Sequence, residues 1–159
     1  MTQAEPLARS GKFIFMTFPL ACLILGGLSG YVGGSGDSIW YRALEKSPLT
    51  PPGWAFGVVW PLLYILMGIA AALVWRKAIG RQRQLAMTLF VVQLVVNLTW
   101  SPVFFALHMI GLAVLHIGVL WVLVALTMNI FLQFSKAATW LMVPYLLWIS
   151  FAAWLSYNV

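Results

Sequence analysis

Aromatic side chains recur at helical spacing in an apolar stretch of the sequence and give it the capacity to bind a ligand. Trp60 and Tyr64 stand at i and i+4, followed by the small residues Gly68 and Ala71 at i+8 and i+11. This spacing places two rings and two small residues on one helical face. Such a face can line a ligand pocket, and it is equally the pattern of ordinary helix packing.

A second stretch combines amides with aromatic rings. Gln93, Asn97, Trp100 and Phe104 fall at i, i+4, i+7 and i+11 and share one helical face. Buried amides in hydrocarbon are costly unless they are hydrogen-bonded, so this face must point towards a neighbouring helix or a bound polar ligand. Pro102 also frees a backbone carbonyl near Leu98, which is left to a side chain, a water or a ligand.

A third stretch carries a further aromatic face that can oppose the first. Tyr145, Trp148, Ala152 and Leu155 lie at i, i+3, i+7 and i+10. A cavity lined by aromatic rings and a few amides suits flat, apolar ligands with polar edges, such as porphyrins or sterols.

Other kinds of chemistry find little support in the sequence. The acids Glu5, Asp37 and Glu45 all lie outside the apolar stretches, which argues against a proton pump or an ion-driven transporter. No CxxC, HExxH or CxxCH spacing occurs, so we expect neither a metal site nor covalently attached haem. Hydrolytic triads are equally unsupported. The residues therefore predict a binding site without an obvious catalyst.

The two histidines do not form a pair of haem ligands. His116 lies inside an apolar stretch and His108 at its boundary. Eight residues correspond to about 12 Å along a helix, too far for both to ligate one haem iron. We interpret His116 as a neutral, hydrogen-bonded histidine.

The composition predicts the elements that position these residues. Of the 159 residues, 63% are hydrophobic and 8% are charged, far from the composition of soluble globular proteins. Five apolar runs are each about the ~20 residues that cross a bilayer, and continuous apolar runs favour helices. The sequence predicts an all-α fold, an integral membrane bundle of five transmembrane helices in one domain, residues 1–159. The predicted spans are 13–32, 54–75, 85–107, 111–132 and 140–157.

The basic residues indicate topology. Seven of the nine lysines and arginines lie in the N-terminal segment and in the 76–84 and 135–138 loops, which five spans place on one side. By the positive-inside rule the N-terminus is cytoplasmic, in a bacterial membrane whose identity the sequence leaves open. The net charge of +6 therefore reflects membrane topology, and we expect no nucleic-acid partner.

The first loop has the pattern of a lid. Trp40, Tyr41 and Leu44 stand at i, i+1 and i+4, which predicts a short amphipathic helix at the membrane interface, ended by the prolines at 48, 51 and 52. The sequence GGSGDSI at 33–39 predicts a flexible connector. The 40–53 segment is thus tethered loosely at its start and stiffly at its end.

Glycines in the first span have the spacing of close helix contacts in lipid. Gly26 and Gly30 are four residues apart, and Gly34 continues the series. The pattern is compatible with a dimer interface and with packing inside one chain.

Three motifs resemble one known family. WYRALEKSPLTPPGWAFGVVWPLLYILMG at 40–68, QLVVNLTWSPVFF at 93–105 and PYLLWISFAAWLSY at 144–157 are similar to the translocator protein family, whose bacterial members are called tryptophan-rich sensory proteins. The resemblance runs from about residue 18 to residue 157. It implies a five-helix membrane bundle, commonly a homodimer, that binds porphyrins, haem, sterols and benzodiazepine-type ligands in a cavity closed by the first loop, with no required cofactor.

The resemblance also implies roles for individual residues. The cavity tryptophans correspond to Trp60 and Trp148, the loop pair to Trp40 and Tyr41, and a small pocket residue to Ala152. Asn97 and Trp100 match the family's motif in the third helix. The predicted ligand-binding residues are Trp40, Tyr41, Trp60, Tyr64, Asn97, Trp100, Phe104, His116, Trp148 and Ala152.

The sequence departs from the family at three points. His116 stands where many relatives have an aspartate, and Leu112 where animal members have a tryptophan, so pocket polarity and ligand choice are expected to differ. Animal members also have a sterol-recognition pattern that ends in a basic residue. Leu155 and Tyr157 are present here without that residue, so cholesterol binding through this pattern is not expected.

Three hypotheses follow. The leading one is a membrane sensor or translocator that binds tetrapyrroles, with the lipid bilayer and a second copy of the chain as partners. The second is a light-dependent porphyrin-degrading enzyme, an activity reported for some bacterial relatives, in which Trp60 and Trp148 are the catalytic residues. The third is a structural partner protein whose aromatic faces only pack helices.

Overall fold

The computed structural model describes the backbone of residues 4–34 and 38–159, and the side chains from residue 11 onward within those ranges. Within them the chain forms six α-helices and one π-helical turn. The helices are α1 (Ala4–Gly33), α2 (Ile39–Ala43), α3 (Gly53–Lys77), α4 (Gly80–Ser101), α5 (Ile110–Leu132) and α6 (Lys136–Tyr157). The π-helical turn, Pro102–Ala106, continues α4.

The fold class predicted from the sequence is confirmed. In the described part of the chain, five helices are long and apolar enough to cross a membrane: Gly11–Gly33, Gly53–Lys77, Gly80–Ala106, Ile110–Leu132 and Lys136–Tyr157. Two of them begin several residues before the predicted spans. The polar residues 80–84 extend the start of α4, and Ser135 caps α6 by accepting a hydrogen bond from the Ala138 N–H at 3.1 Å.

The five long helices are arranged as a ring in which chain neighbours are not always spatial neighbours. α1 packs against α3, α3 against α6, α6 against α5 and α5 against α4. The ring closes between α4 and α1, where contacts are sparser and include the π-helical turn. This weak junction is where the cavity described below lies.

The short helix of the first loop is present, but one of its predicted residues lies outside it. α2 ends at Ala43, and Leu44 has extended backbone with φ −68° and ψ 140°. The Lys46 ammonium donates to the carbonyls of Tyr41 and Leu44 at 2.5 and 3.2 Å, which satisfies the end of the helix before any proline is reached. Trp40, Tyr41 and Leu44 nevertheless all pack against the core.

The first loop is joined to α1 by the glycine-rich segment and to α3 by the proline-rich segment. Pro52 is extended, with φ −62° and ψ 153°, as the proline-rich sequence predicted for the stiff end. The central residues 35–37 of the predicted glycine-rich connector lie outside the described residues.

Two glycines allow α1 and α3 to approach closely. A Cβ atom at Gly68 of α3 would collide with the backbone of Pro19 in α1, and a Cβ at Gly26 of α1 would collide with the ring of Tyr64 in α3. Gly26 therefore serves packing inside the chain. Near the other end of α1, a Cβ at Gly33 would lie 2.6 Å from the backbone nitrogen of Pro102. At Gly27 and Gly30, between these two contacts, no neighbouring helix approaches α1 so closely.

Candidate ligand-binding cavity

A cavity of about 360 Å³ lies between α1, α3 and the end of α4. This volume is within the ~300–1,000 Å³ typical of small-molecule sites. Gly27, Gly30, Trp54 and Gly57 on its border are exposed, so it opens sideways between α1 and α3. The lining residues are Leu23, Gly26, Gly27, Ser29, Gly30, Gly34, Gly53, Trp54, Phe56, Gly57, Trp60, Pro61, Tyr64, Asn97, Trp100, Ser101 and Phe105.

The wall contributed by α1 is made largely of glycine. Cβ atoms built at Gly27 and Gly30 would meet no atom within 4 Å, so nothing in the chain occupies the space in front of them. The glycines at 26 and 30, which the sequence left open between dimerisation and internal packing, thus border the cavity. A larger side chain at position 30 would have room to occupy the mouth.

The facing wall is an aromatic surface on α3. The rings of Trp60 and Tyr64 are stacked, with centroids 5.7 Å apart and an interplanar angle of 29°. The i, i+4 spacing predicted this shared face. Gly68 and Ala71, which continue the same stripe, are instead buried in helix packing. The stripe therefore lines the cavity in its first half and forms an ordinary helix interface in its second.

Trp148 supports this wall from behind. Its ring meets the Trp60 ring edge-on, with centroids 6.4 Å apart and an interplanar angle of 89°. Trp148 does not line the cavity. It borders a shallow apolar groove on the other side, between α3 and α6. Its indole N–H is buried without a hydrogen-bond partner in the described part of the chain.

The buried amides are joined to two tyrosines by hydrogen bonds across three helices. The Tyr64 hydroxyl donates to Asn97 Oδ1 at 2.7 Å, and Asn97 Nδ2 donates to the Tyr145 hydroxyl at 2.9 Å. Tyr145 in turn donates to Gln93 Oε1 at 2.9 Å. The amide face of α4 is thus used for interhelical hydrogen bonds. Asn97 still borders the cavity.

The backbone carbonyl that Pro102 leaves without a helical donor accepts a hydrogen bond from a side chain. The Ser29 hydroxyl of α1 donates to the Leu98 carbonyl of α4 at 2.5 Å. The sequence predicted that a carbonyl near Leu98 needs a donor, but not that α1 supplies it. Because Ser29 lines the cavity, this hydrogen bond holds α1 and α4 together at the weak junction of the ring.

Aromatic rings close the cavity at the end where the first loop lies. We call the group Trp40, Tyr41, Trp100, Phe104 and Phe105 the aromatic cap. Trp40 contacts Phe104 edge-on at 5.7 Å, and Phe104 stacks on Trp100 at 5.1 Å. Tyr41 meets Phe105 at 5.4 Å. Trp100 and Phe105 line the cavity, whereas Trp40, Tyr41 and Phe104 form the layer above them.

The loop residues of the cap are held by further contacts. Trp40 stacks on the ring of His108, with centroids 4.0 Å apart. The Lys46 ammonium lies 4.6 Å from the centre of the Tyr41 ring. Burial raises the pKa of the Tyr41 hydroxyl above its usual value, so this group stays neutral. The contacts place α2 as a lid on the aromatic layer.

Two other predicted site residues lie away from the cavity. Ala152 borders a separate void of about 20 Å³ beneath Tyr41 and Phe104. His116 lies between α4 and α5, where its Nε2 is 2.7 Å from the Val96 carbonyl and 3.2 Å from the Thr99 hydroxyl. It is a hydrogen-bonded histidine, as the sequence analysis interpreted it, and it does not border the cavity.

Several cavity residues were not predicted as ligand-binding. They include Phe56, Phe105 and the α1 residues Gly27, Ser29 and Gly30. Phe105 adjoins the predicted Phe104, but helical periodicity placed it off the shared face. The π-helical turn rotates this part of the chain.

The electrostatic character of the cavity is nearly neutral. None of its described lining residues is charged, and the polar side-chain groups are hydroxyls, one amide and the indole N–H groups of three tryptophans. The Trp100 indole N–H donates to the Ala113 carbonyl at 3.2 Å. In the described part of the chain, no group of three or more His, Cys, Asp or Glu residues is placed to hold a metal ion.

These features define an all-α, multi-pass integral membrane protein with a largely aromatic cavity of small-molecule size at one end of its helix ring. The chain belongs to the TspO/MBR family, whose sequence pattern matches residues 15–159. The family resemblance found in the motifs is therefore confirmed. Family membership supports a role as a membrane sensor or translocator.

Individual relatives come from bacteria and animals. The chain is 37% identical over 142 residues to the tryptophan-rich protein TspO of Chlorobaculum tepidum, an alignment covering 87% of this chain and 88% of that protein. It is 34% identical to protein CrtK of Rhodobacter capsulatus, covering 92% and 90% of the two chains. It is also 34% identical to the translocator protein of Ovis aries, covering 84% and 81%.

Proposed function

We propose that this chain is a membrane sensor or translocator that binds tetrapyrroles in the cavity, with protoporphyrin IX and haem as its ligands. The stacked Trp60 and Tyr64 rings, facing the open glycine wall of α1, carry this proposal. A flat ring system can lie against such a surface, and the nearby Asn97 and Ser101 side chains provide polar groups for its edges. Because the cavity opens sideways, a ligand is not restricted to the enclosed 360 Å³.

The proposed mode of haem binding does not use an iron ligand. The described lining residues include no histidine, cysteine or methionine, and the Tyr64 hydroxyl is engaged with Asn97. Haem would then be held through its ring faces and edges and not by axial ligation. We expect free-base protoporphyrin IX and haemin to bind with similar affinities.

A titration in the dark tests the proposal. Protoporphyrin IX or haemin is added to the purified protein in detergent while tryptophan fluorescence is followed, and saturable quenching is expected. Gly30→Phe fills the cavity mouth and should abolish the saturable part. Gly118→Phe is the matched control, because Gly118 is also an exposed helical glycine with open space around its Cβ. Equal quenching in the two variants would refute binding in the cavity.

The proposal extends to other flat apolar ligands and to the assembly. Sterol-like and benzodiazepine-type compounds should compete with protoporphyrin IX, since the cavity walls offer aromatic and aliphatic surface. We also propose a homodimer with cytoplasmic N-termini in a bacterial membrane, on the basis of the family and the charge distribution. Cross-linking in membranes and protease accessibility from each side test these two points.

A second candidate function is light-dependent degradation of a bound porphyrin. The contact between Trp60 and Trp148 favours it, because one oxidisable ring borders the cavity and the second lies directly behind it. Under illumination in air, protein-dependent bleaching of protoporphyrin IX to a defined product would indicate an enzyme. Trp60→Phe/Trp148→Phe should then abolish turnover and leave much of the dark binding. Unchanged turnover in this variant would exclude the proposed role of the two tryptophans.

A further inference from the structure

A groove on the outer surface of the bundle lies at the opposite end of α3 from the cavity mouth. It runs between the end of α3 and the first half of α4 and has a volume of about 640 Å³. We call it the α3–α4 groove. It is lined by Trp75, Gly80, Arg83, Gln84, Met87, Thr88, Val91 and Val92. None of these residues lines the cavity, so the groove is a separate feature.

Arg83 is held at the polar end of the groove by two contacts. Its guanidinium carbon lies 4.5 Å from the centre of the Trp75 ring, and its Nε donates to the Ala78 carbonyl at 2.8 Å. The two terminal nitrogens make no hydrogen bond to any residue in the described part of the chain. A positioned guanidinium with free donors is suited to a phosphate, which it can bind through two nitrogens.

The charge around this arginine is uniformly positive. The segment 76–84 also contains Arg76, Lys77 and Arg81 and has no acidic residue. A ligand that complements this end of the groove must therefore be an anion. Trp75 adds the aromatic ring typical of the level of lipid head groups.

Apart from Gln84 and Thr88, the rest of the groove is apolar, and it lies on the outer face of the bundle. Val91 and Val92 are 53% and 42% exposed on the outside of the bundle. From Gly80 to Val92 the groove follows α4 for about 18 Å, given a rise of 1.5 Å per residue. This length is close to one leaflet, half of the ~30 Å hydrocarbon core. A soluble anion would leave this surface unused, whereas an acyl chain would cover it.

We propose that the α3–α4 groove binds one anionic phospholipid of the phosphatidylglycerol type, with its phosphate at Arg83 and an acyl chain along Met87, Val91 and Val92. Basic pockets beside transmembrane helices are suited to anionic lipid head groups. The site is independent of the tetrapyrrole proposal, since the two regions share no residue.

The test uses the full chain, delipidated in detergent and titrated with dioleoyl phosphatidylglycerol or dioleoyl phosphatidylcholine, which have the same acyl chains. Native mass spectrometry counts the lipids bound to each protein. Arg83→Gln should weaken phosphatidylglycerol binding by about fivefold, the equivalent of ~1 kcal/mol per basic residue, and leave phosphatidylcholine binding unchanged. Lys136→Gln is the matched control, because it removes one positive charge from the start of α6, at the same end of the bundle by the predicted topology.

The apolar part is tested separately. Val91→Trp fills the groove and should weaken the binding of both lipids, whereas Val119→Trp, on the exposed face of α5, should weaken neither. Circular dichroism establishes that all four variants are folded. Equal affinity of the wild type for the two lipids, or equal effects of Arg83→Gln and Lys136→Gln, would overturn the proposal. Displacement of the lipid by inorganic phosphate at millimolar concentration would show a simple anion site and would also overturn it.

Discussion

The two halves of the continuous helix α3 pack differently: the first half borders the cavity, and the second half is closely packed against its neighbours. In the first half Trp54 is 69% exposed, and Trp60 and Tyr64 face the cavity. In the second half Met67, Ala70, Ala71, Ala72 and Val74 are all 0% exposed. Small residues let neighbouring helices approach closely in a membrane, whereas large rings keep them apart. The cavity therefore occurs where α3 changes from alanine to aromatic residues.

The close-packed half also fixes the position of the open half. α1 touches the backbone of α3 at Gly68 and the Tyr64 ring at Gly26, and beyond these points it borders empty space at Gly27 and Gly30. Tyr64 is thus held from one side by α1 and from the other by its hydrogen bond to Asn97. We call Tyr64 and Asn97 the cavity floor, and the close packing of α1 against the second half of α3 supports it.

The largest expected effect comes from adding one methyl group to the tight half. In Gly68→Ala the new Cβ would collide with backbone atoms of Pro19, which cannot rotate away. We expect destabilisation at or above the ~1–3 kcal/mol typical of overpacking. Gly30→Ala makes the same change in the open half, where the Cβ meets nothing within 4 Å, and should be neutral or slightly stabilising. Denaturant unfolding followed by circular dichroism measures both, and similar midpoints would contradict the comparison.

The second expected effect is smaller and concerns the floor itself. Asn97→Leu removes the acceptor for Tyr64 and the donor to Tyr145. Interhelical hydrogen bonds in membranes are worth ~0.6 kcal/mol on average and at most ~1.7, so the two together predict a loss of about 1–3 kcal/mol. Thr127→Val is the control, because the Thr127 hydroxyl donates within its own helix to Leu123. The same unfolding assay applies.

Asn97→Leu should also change ligand binding, which separates the floor from general stability. Without its hydrogen bond the Tyr64 ring is less constrained, so we expect weaker quenching by protoporphyrin IX than in Thr127→Val. If the two variants unfold alike and quench alike, Asn97 does not support the cavity floor.

Helical periodicity predicted which residues share a face, but it contains no information about how each helix is rotated against its neighbours. The spacing of Trp60 and Tyr64 correctly placed both rings together. The same argument correctly placed Trp148 on the face of α6 that meets Trp60. It could not show that Trp60 lines the cavity whereas Trp148 does not. Rotation depends on the packing of all five helices.

The contribution of α1 was harder to predict for a related reason. Glycine has no side chain to form an apolar or polar pattern, so Gly30 indicated only a close helix approach, and Gly27 carried no prediction of a site. In the structure the absence of a side chain leaves space for a cavity. Pro102 was more informative. Because proline has no N–H, the sequence predicts that one particular carbonyl, near Leu98, must find another hydrogen-bond donor. The π-helical turn that follows it, and hence the inward position of Phe105, depends on tertiary packing.

The smallest expected effect concerns the junction that closes the open half. Ser29→Ala removes the donor to the Leu98 carbonyl, and we expect a loss of ~0.6 kcal/mol, the average for such a bond in a membrane. Pro102→Ala restores an N–H that can serve the same carbonyl, so in that background Ser29→Ala should cost less. A double-mutant cycle in the unfolding assay measures this coupling. Strict additivity would mean that Ser29 does not compensate for the missing N–H of Pro102, and that the α1–α4 junction is held by packing against Gly33 instead.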